Sequence, residues 1–380
     1  MDGVIQVEQH GLQEKLALLT SQLRSKIVVG ERQFVPDPKT PVTNWLVANK
    51  RHCNGGRTID AGLWLKSHCD AGGKIFLTMS GAGSSFQAGV QISRMIRAGK
   101  IGAISVTGAN MEESLYRLVA NSHYAYIPDY QELTREEEKE LGKVGFRRIT
   151  DTFLPEEESV RVVLDSLMSL WEEAGRNGES LLWHEYFFRL FERNLVRFDP
   201  TANPEDCWLY QAWKHKIPVY VPGWEDSTMG NIFTHASYNG QHPFLKKYSL
   251  ERPISSCVVK PNFAYMHHLT EWYMDNAGEK GLAFFQLGGG IAADFPICVV
   301  PHLKKDFLAE EPLEAQERLI APWAGFVEIH SSPMSFGSYS GAGGKEKITW
   351  DKLIPTSFIM QIFGDYTEHF PDIAAIVLGE

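Results

Sequence analysis

At 380 residues, with 43% hydrophobic and 22% charged side chains, 10 Trp and 21 Phe, the chain has apolar area for one large domain or two ordinary ones; a disordered tail or a small stapled scaffold is excluded. Acidic residues number 47 and basic residues 37, a net charge of −10 that repels nucleic acid and anionic membrane and suits polycationic partners. Cys53, Cys69, Cys207, Cys257 and Cys298 are odd in number and form no C-x-x-C pair, which argues against a disulfide framework or zinc cage and for a reducing cytoplasm.

Gly11 to Lys26 has a helical pattern, followed by Pro36, Pro38 and Pro41, which predicts a helical arm and linker over 1–41 and one domain over 42–380. The N-terminus carries Asp2, Glu8 and Glu14 with no apolar h-region, so a secretory signal is not expected. Lys74 to Ser80 reads as a buried strand, Phe86 to Ala98 as a helix and Gly102 to Thr107 as a second strand. Asn110 to Ala120 reads as the next helix, with Asn110 as its N-cap. Residues 132–215 read as largely helical, with a solvated acidic face from Glu132 to Glu140 and amphipathic runs at Glu156 to Ala174 and Leu181 to Asn194. The alternation resumes with strand Val219–Val221, helix Phe263 to Asn276, and strands Leu282 to Leu287 and Phe326 to Ile329. This rhythm predicts an α/β fold: a Rossmann-like, doubly wound, mostly parallel sheet with helices on both faces. Gly281 to Val300 has the length of a membrane span, but its glycine run, Asp294 and Pro296 speak for a buried strand and a loop.

Parallel sheets gather ligands where their strands end. The turn Ser80-Gly81-Ala82-Gly83-Ser84-Ser85 either offers N–H groups to a phosphate at a helix start or serves close helix–strand packing. Thr107 to Glu113 puts Glu112 and Glu113 past a strand end, where they serve a ribose or the helix dipole. Asp226, in the loop Glu225 to Asn231, suits a ribose, a cation or a helix cap. Gly288-Gly289-Gly290 is costly in chain entropy, which favours close approach of backbone to a ligand. After a Gly/Ser loop come Glu346, Trp350 and Lys352; on a helix Glu346 and Trp350 would share a face able to bind an amine by charge and cation–π attraction. By pattern alone Lys352 reads as a surface lysine. The adjacent His267 and His268 point in different directions on a helix, and neither H-E-x-x-H nor G-x-S-x-G occurs, so no metal is expected.

Ser340-Gly341-Ala342 followed by Glu346, Trp350 and Lys352 resembles the deoxyhypusine synthase family, including its bacterial deoxyhypusine synthase-like branch with homospermidine synthase-type members. The resemblance runs from about Val42 to the C-terminal helix. It implies NAD as cofactor, Lys352 as the lysine that forms an imine with a butylamine group, Trp350 over the polyamine chain and Glu346 as an amine-binding carboxylate. Thr107 to Glu113 resembles the family's T-x-G-x-x-E-E segment with Ala109 in place of a glycine, which implies Glu113 at a ribose of NAD. Asp226, Gly288, Gly289, Ser331 and Ser332 fall on cofactor-facing positions, joined by Ser80 and Gly81 of the first turn.

The departures lie in the amine half. The family's catalytic histidine is Asp294 here, within Ala293-Asp294-Phe295, and the asparagine four residues on is Cys298. Asn231 replaces the last Asp of the D-G-S-x-G-D loop, Tyr339 the Asp before S-G-A, and Glu328 a tyrosine near the last strand. The resemblance implies an NAD-dependent aminobutyl transferase, a homotetramer of the cytoplasm. Its polyamine partners would be spermidine, putrescine or agmatine, and the rewritten amine half favours a small amine as acceptor. The alternatives are a deoxyhypusine synthase acting on a lysine of a translation factor and a non-catalytic NAD-binding homologue. The turn from Gly81 to Ser85 is also similar to that of sirtuin-like deacylases, whose zinc cysteines this chain lacks.

Overall fold

A computed structural model describes residues 39–380; the expected arm, up to residue 38, lies outside the described residues. The main sheet has β1 (Lys74–Met79), β2 (Ile101–Val106), β3 (Val219–Tyr220), β4 (Leu282–Leu287), β5 (Gly325–His330) and β6 (Phe358–Phe363). Its spatial order is β3-β2-β1-β4-β5-β6, and every neighbouring pair is parallel. This is the doubly wound order, in which the direction of winding reverses between β1 and β4.

The strands are nearly continuous apolar runs because both faces are covered. On one face lie α1 (Cys53–Asp70) and, against its Gly62, the C-terminal helix α7 (Tyr366–Leu378), whose Phe370 meets Phe285 of β4, their rings 5.8 Å apart. On the other, Phe76, Phe284 and Phe326 stack across β1, β4 and β5 at 5.7 and 6.0 Å, and Trp272 of α5 (Phe263–Asn276) packs edge-on against Phe76. One step nearer the strand ends, on the face of Phe326, the row changes character: Thr78, Gln286, Glu328 and Gln361 stand in register across β1, β4, β5 and β6. Glu328 and Gln286 are fully buried there.

Several elements differ from expectation. The helix after β1, α2 (Gly89–Arg97), starts at Gly89 rather than Phe86, because the N–H groups of Phe86, Gln87 and Ala88 bond back to Ala82, Ser84 and Gly83. α3 (Gly108–Ala120) starts before Asn110; Thr107 is its N-cap and accepts from the Asn110 N–H. Residues 132–215 are not uniformly helical: strands Phe146–Ile149 and Thr152–Pro155 form a hairpin that Ala125–Tyr126 joins as an antiparallel third strand. Its two-residue turn has Thr150 at φ +57°, a conformation usually announced by Asn or Gly. The acidic run does form a solvated helix, Arg135–Lys143, closed by a Thr134–Glu137 capping box and burying no residue. The apolar Gly281 to Val300 window divides between β4 and α6 (Ile291–Ile297), and among the described residues no helix is long and apolar enough to cross a membrane. Strand β6 was not foreseen.

Candidate functional site

The reversal of winding opens a crevice beyond the ends of β1 and β4. Ser80 and Gly288 face each other there: the Ser80 N–H donates to the Leu287 carbonyl at 2.9 Å, and a Cβ added to Gly288 would stand 3.4 Å from that of Ser80. That is ordinary contact, so space does not demand glycine. The backbone does, since Gly288 and Gly290 have φ of +75° and +86°. Tyr366 of α7 donates its hydroxyl to the Ser80 carbonyl at 2.9 Å. The Ser80 hydroxyl is buried with no protein partner. A cavity of about 420 Å³ runs along the ends of β4, β5 and β6, walled by Gly288, Gly289, Gly290, Ser331, Ser332 and Tyr339, with Asp365 and Tyr366 opposite.

Hydrogen bonding separates the loops' two readings. The Ser84 N–H donates to the Asn110 side chain, and Asn110 in turn donates to the Gly81 carbonyl and the Thr107 hydroxyl. With Phe86, Gln87 and Ala88 also engaged, a phosphate reading of this turn is confined to Gly81 through Gly83. Glu112 takes the Thr228 and Met229 N–H groups, both at 2.9 Å, and so caps α4 (Thr228–Ala236) and ties the second strand-end loop to the third. Glu113 takes the Ser85 hydroxyl at 2.6 Å and is the carboxylate left near the crevice. Burial pushes Glu112 up to about 7 and Glu113 up to about 6. Ser227 supplies the side-chain cap of α4, which frees the exposed Asp226 from that role.

The amine-side residues gather around Tyr339, which with Gly290 walls both the crevice cavity and a neighbouring one of about 450 Å³ lined by Met266, Ile291, Asp294, Phe295 and Cys298. The Lys352 Nζ stands 3.3 Å from Asp294 Oδ1 and 5.8 Å from the Tyr339 ring centre, with its side chain 12% exposed. Burial pushes the pKa of the Tyr339 phenol well above its ordinary value and that of the Cys298 thiol upward, so both stay protonated and neutral, and the Tyr339 hydroxyl has no protein partner. Beneath this loop Glu328 accepts from Gln286 at 2.5 Å and Gln361 at 2.9 Å. Gln361 also accepts from the Gly344 N–H at 2.6 Å and donates to the Ala342 carbonyl at 3.2 Å, so the buried polar row anchors the loop that carries Lys352.

The other expected amine-site residues are not gathered with it. Helix Glu346–Thr349 is a single turn that ends before Trp350, so Glu346 and Trp350 do not share a helical face. Trp350 is 69% exposed, and the Glu346 carboxylate takes the Gly343 N–H at 3.1 Å. Asn231 donates to the Ser227 carbonyl on α4 and lines a different cavity, with Asp165 and His235. Among the described residues no cluster suited to a metal ion occurs, and His268 is engaged by the Tyr220 hydroxyl at 3.1 Å.

The family description "Deoxyhypusine synthase" matches residues 56–377. The chain belongs to the deoxyhypusine synthase family. A Methanosarcina acetivorans protein named "Probable deoxyhypusine synthase 2" is 25% identical over 310 residues, covering 79% of this chain and 75% of its own length. A Chlorobaculum parvum "Deoxyhypusine synthase-like protein" is 23% identical over 304 residues, covering 79% and 75%.

Within this member of the deoxyhypusine synthase family, sequence reasoning missed Gln286, Gln361 and Lys347. The glutamines had a signal: each is the single polar residue inside an otherwise apolar run, LAFFQL and FIMQIF. Gln286, fully buried, and Gln361, half-buried on the edge strand, both donate to Glu328, and Gln361 also holds the loop above. Lys347, next to Glu346 in a charged stretch, had no such signal.

Proposed function

We propose that the protein is an NAD-dependent aminobutyl transferase that moves the four-carbon amine of spermidine or a related polyamine, through an imine on Lys352, to a small polyamine acceptor, giving a homospermidine-type product. The observation that carries this reading is the shared wall: Tyr339 and Gly290 border both cavities, so the Lys352–Asp294 pair lies beside the strand-end crevice.

The crevice suits a dinucleotide. Ser80 has a buried hydroxyl without a protein partner, and Gly288 and Gly290 hold left-handed backbone where a ligand would pass. Ser80, Gly81, Thr107, Glu113, Asp226, Gly288, Gly289, Ser331 and Ser332 are the residues that would hold NAD. Bound there, NAD supplies reversible hydride acceptance at the carbon beside an amine. The chain's own residues do the rest. Asp294 holds a substrate ammonium or the Lys352 proton; the Lys352 amine, once neutral, attacks the imine carbon and expels the leaving amine, which takes up the proton. An acceptor amine then displaces Lys352, which regenerates the lysine and leaves a C=N bond on the product; return of the hydride taken up at the start, with a proton, would saturate it.

Met334, Phe336 and Trp350 are 66%, 64% and 69% exposed on the segment that carries Lys352, an apolar area that a protein surface would cover. A second copy within a homotetramer is the reading we favour, and it would bring Glu346, Trp350 and Asn231 into one amine site. The same surface favours the second reading, in which the acceptor is a lysine on a translation factor. Free cysteines at all five positions fit a cytoplasmic protein. Mass spectrometry of products from NAD, spermidine and a panel of amine acceptors tests the assignment. An aminobutylated small amine with no net NADH is expected. Modification of the translation factor alone supports the second reading, and no transfer to any acceptor overturns both.

A further inference from the structure

Behind Tyr339, the wall shared by the two cavities, lies a second lysine that the mechanism does not use. Lys347 is 4% exposed, and its Nζ stands 4.6 Å from the ring centres of both Phe326 and Tyr339. An alkylammonium set against two aromatic rings is the arrangement by which proteins hold cationic amine ligands. The charges around it complete that picture. Burial draws the Lys347 amine below its ordinary value, Lys352 pushes the same way, and Glu328, Asp294 and Glu346 oppose them.

Tyr339 therefore has two cations on its ring, with Lys352 at 5.8 Å and Lys347 at 4.6 Å. Lys352 faces Asp294 at the cavity wall, while Lys347 lies over the strand that carries Phe326 and Glu328. A polyamine engaging Asp294 with one nitrogen and reaching past Tyr339 with another would bring a further ammonium against Lys347. Like charges in a site of low dielectric repel strongly, so that position is closed to substrate nitrogen. What stays open is the cavity walled by Met266, Ile291, Phe295 and Cys298, which is mainly apolar and has Asp294 as its carboxylate.

We propose that Lys347 fills an ammonium subsite of the amine groove and thereby makes the site select diamines, such as putrescine, over triamines, which narrows the donor of the proposed transfer to a diamine and leaves spermidine the poorer substrate. The inference rests on reading this groove as an amine site. It identifies the rewritten positions Glu328 and Tyr339 as the walls of a subsite that the chain occupies with its own side chain.

The test is calorimetric titration of putrescine and of spermidine into the full-length protein, wild type, Lys347→Met and Lys347→Arg, with thermal melts to verify folding. Wild type and Lys347→Arg should prefer putrescine. Lys347→Met, which keeps length and loses charge, should shift the affinity ratio toward spermidine by about tenfold or more. Should the Met variant fail to fold, Lys347→Gln takes its place. An unchanged ratio in the neutral variant, or a wild type that prefers spermidine, overturns the role of Lys347 while leaving the amine site standing. Binding of neither amine to the wild type overturns the amine-site reading itself.

Discussion

The two halves of the candidate site are built differently. The crevice half is made of strand ends and backbone: Ser80 is fixed by the ladder between β1 and β4, Gly288 by that between β4 and β5, and the loops beside them are cross-linked by Asn110 and Glu112. The amine half is made of side chains on the segment 331–353, much of it exposed, held from below by Glu328 and Gln361. The ends of two central strands leave little freedom to alter the first half without disturbing the fold. A loop tied at a few points lets charges change position while the sheet stays the same; Tyr339 and Lys347 stand on that loop, with Asp294 of α6 and buried Glu328 of β5 beside them.

If the halves are separable, each can be broken alone. Lys352→Ala should reduce transfer about a thousandfold or more while NAD affinity, measured by titration, persists; Lys352→Arg should not rescue, because a guanidinium stays protonated. Gln361→Ala removes a donor from buried Glu328 and an acceptor from Gly344; it should cost about 1–3 kcal/mol in chemical denaturation and raise KM for amines more than for NAD. Asp294→Asn should weaken amine use about tenfold, roughly 1.4 kcal/mol, with NAD affinity unchanged. Equal losses in both ligands for either variant would show that the halves are coupled.

The smallest effect concerns pH and the crevice side. Glu112 titrates near 7 in the folded chain, and 4.5 is its ordinary value, because burial outweighs its bonds to α4. The folded state thus holds this proton more tightly than the unfolded one, so stability falls as pH rises through the window from 4.5 to about 7. Glu112→Gln should flatten that slope by less than one proton in denaturation curves taken across the window, since Glu113 contributes a second step near 6.

The sheet was legible because buried parallel strands are apolar runs bounded by turns. Leu282–Leu287 matches its strand end to end, and the other expected strands match within a residue or two. β6 was not, because FIMQIF is short and interrupted by Gln361, and a short apolar run does not distinguish strand from helix. The hairpin from Phe146 to Pro155 hid for a related reason, its turn lacking the Asn-Gly signal. In the site, the family motif located Lys352, and the contact with Asp294 sits where the departures were noted. The role of Glu112 was open in sequence because capping a distant helix is a tertiary event. Lys347 was invisible because a lysine in a charged stretch is usually solvated, and only the fold of the loop turns it inward.

In the proposed transfer Lys352 carries the aminobutyl group. Borohydride reduction of the protein incubated with NAD and either putrescine or spermidine, followed by peptide mass spectrometry, tests it directly. An aminobutyl adduct on the peptide containing Lys352, formed only when NAD and amine are both present, is expected. An adduct confined to Lys347 or another lysine, or no adduct under conditions where product accumulates, would contradict it.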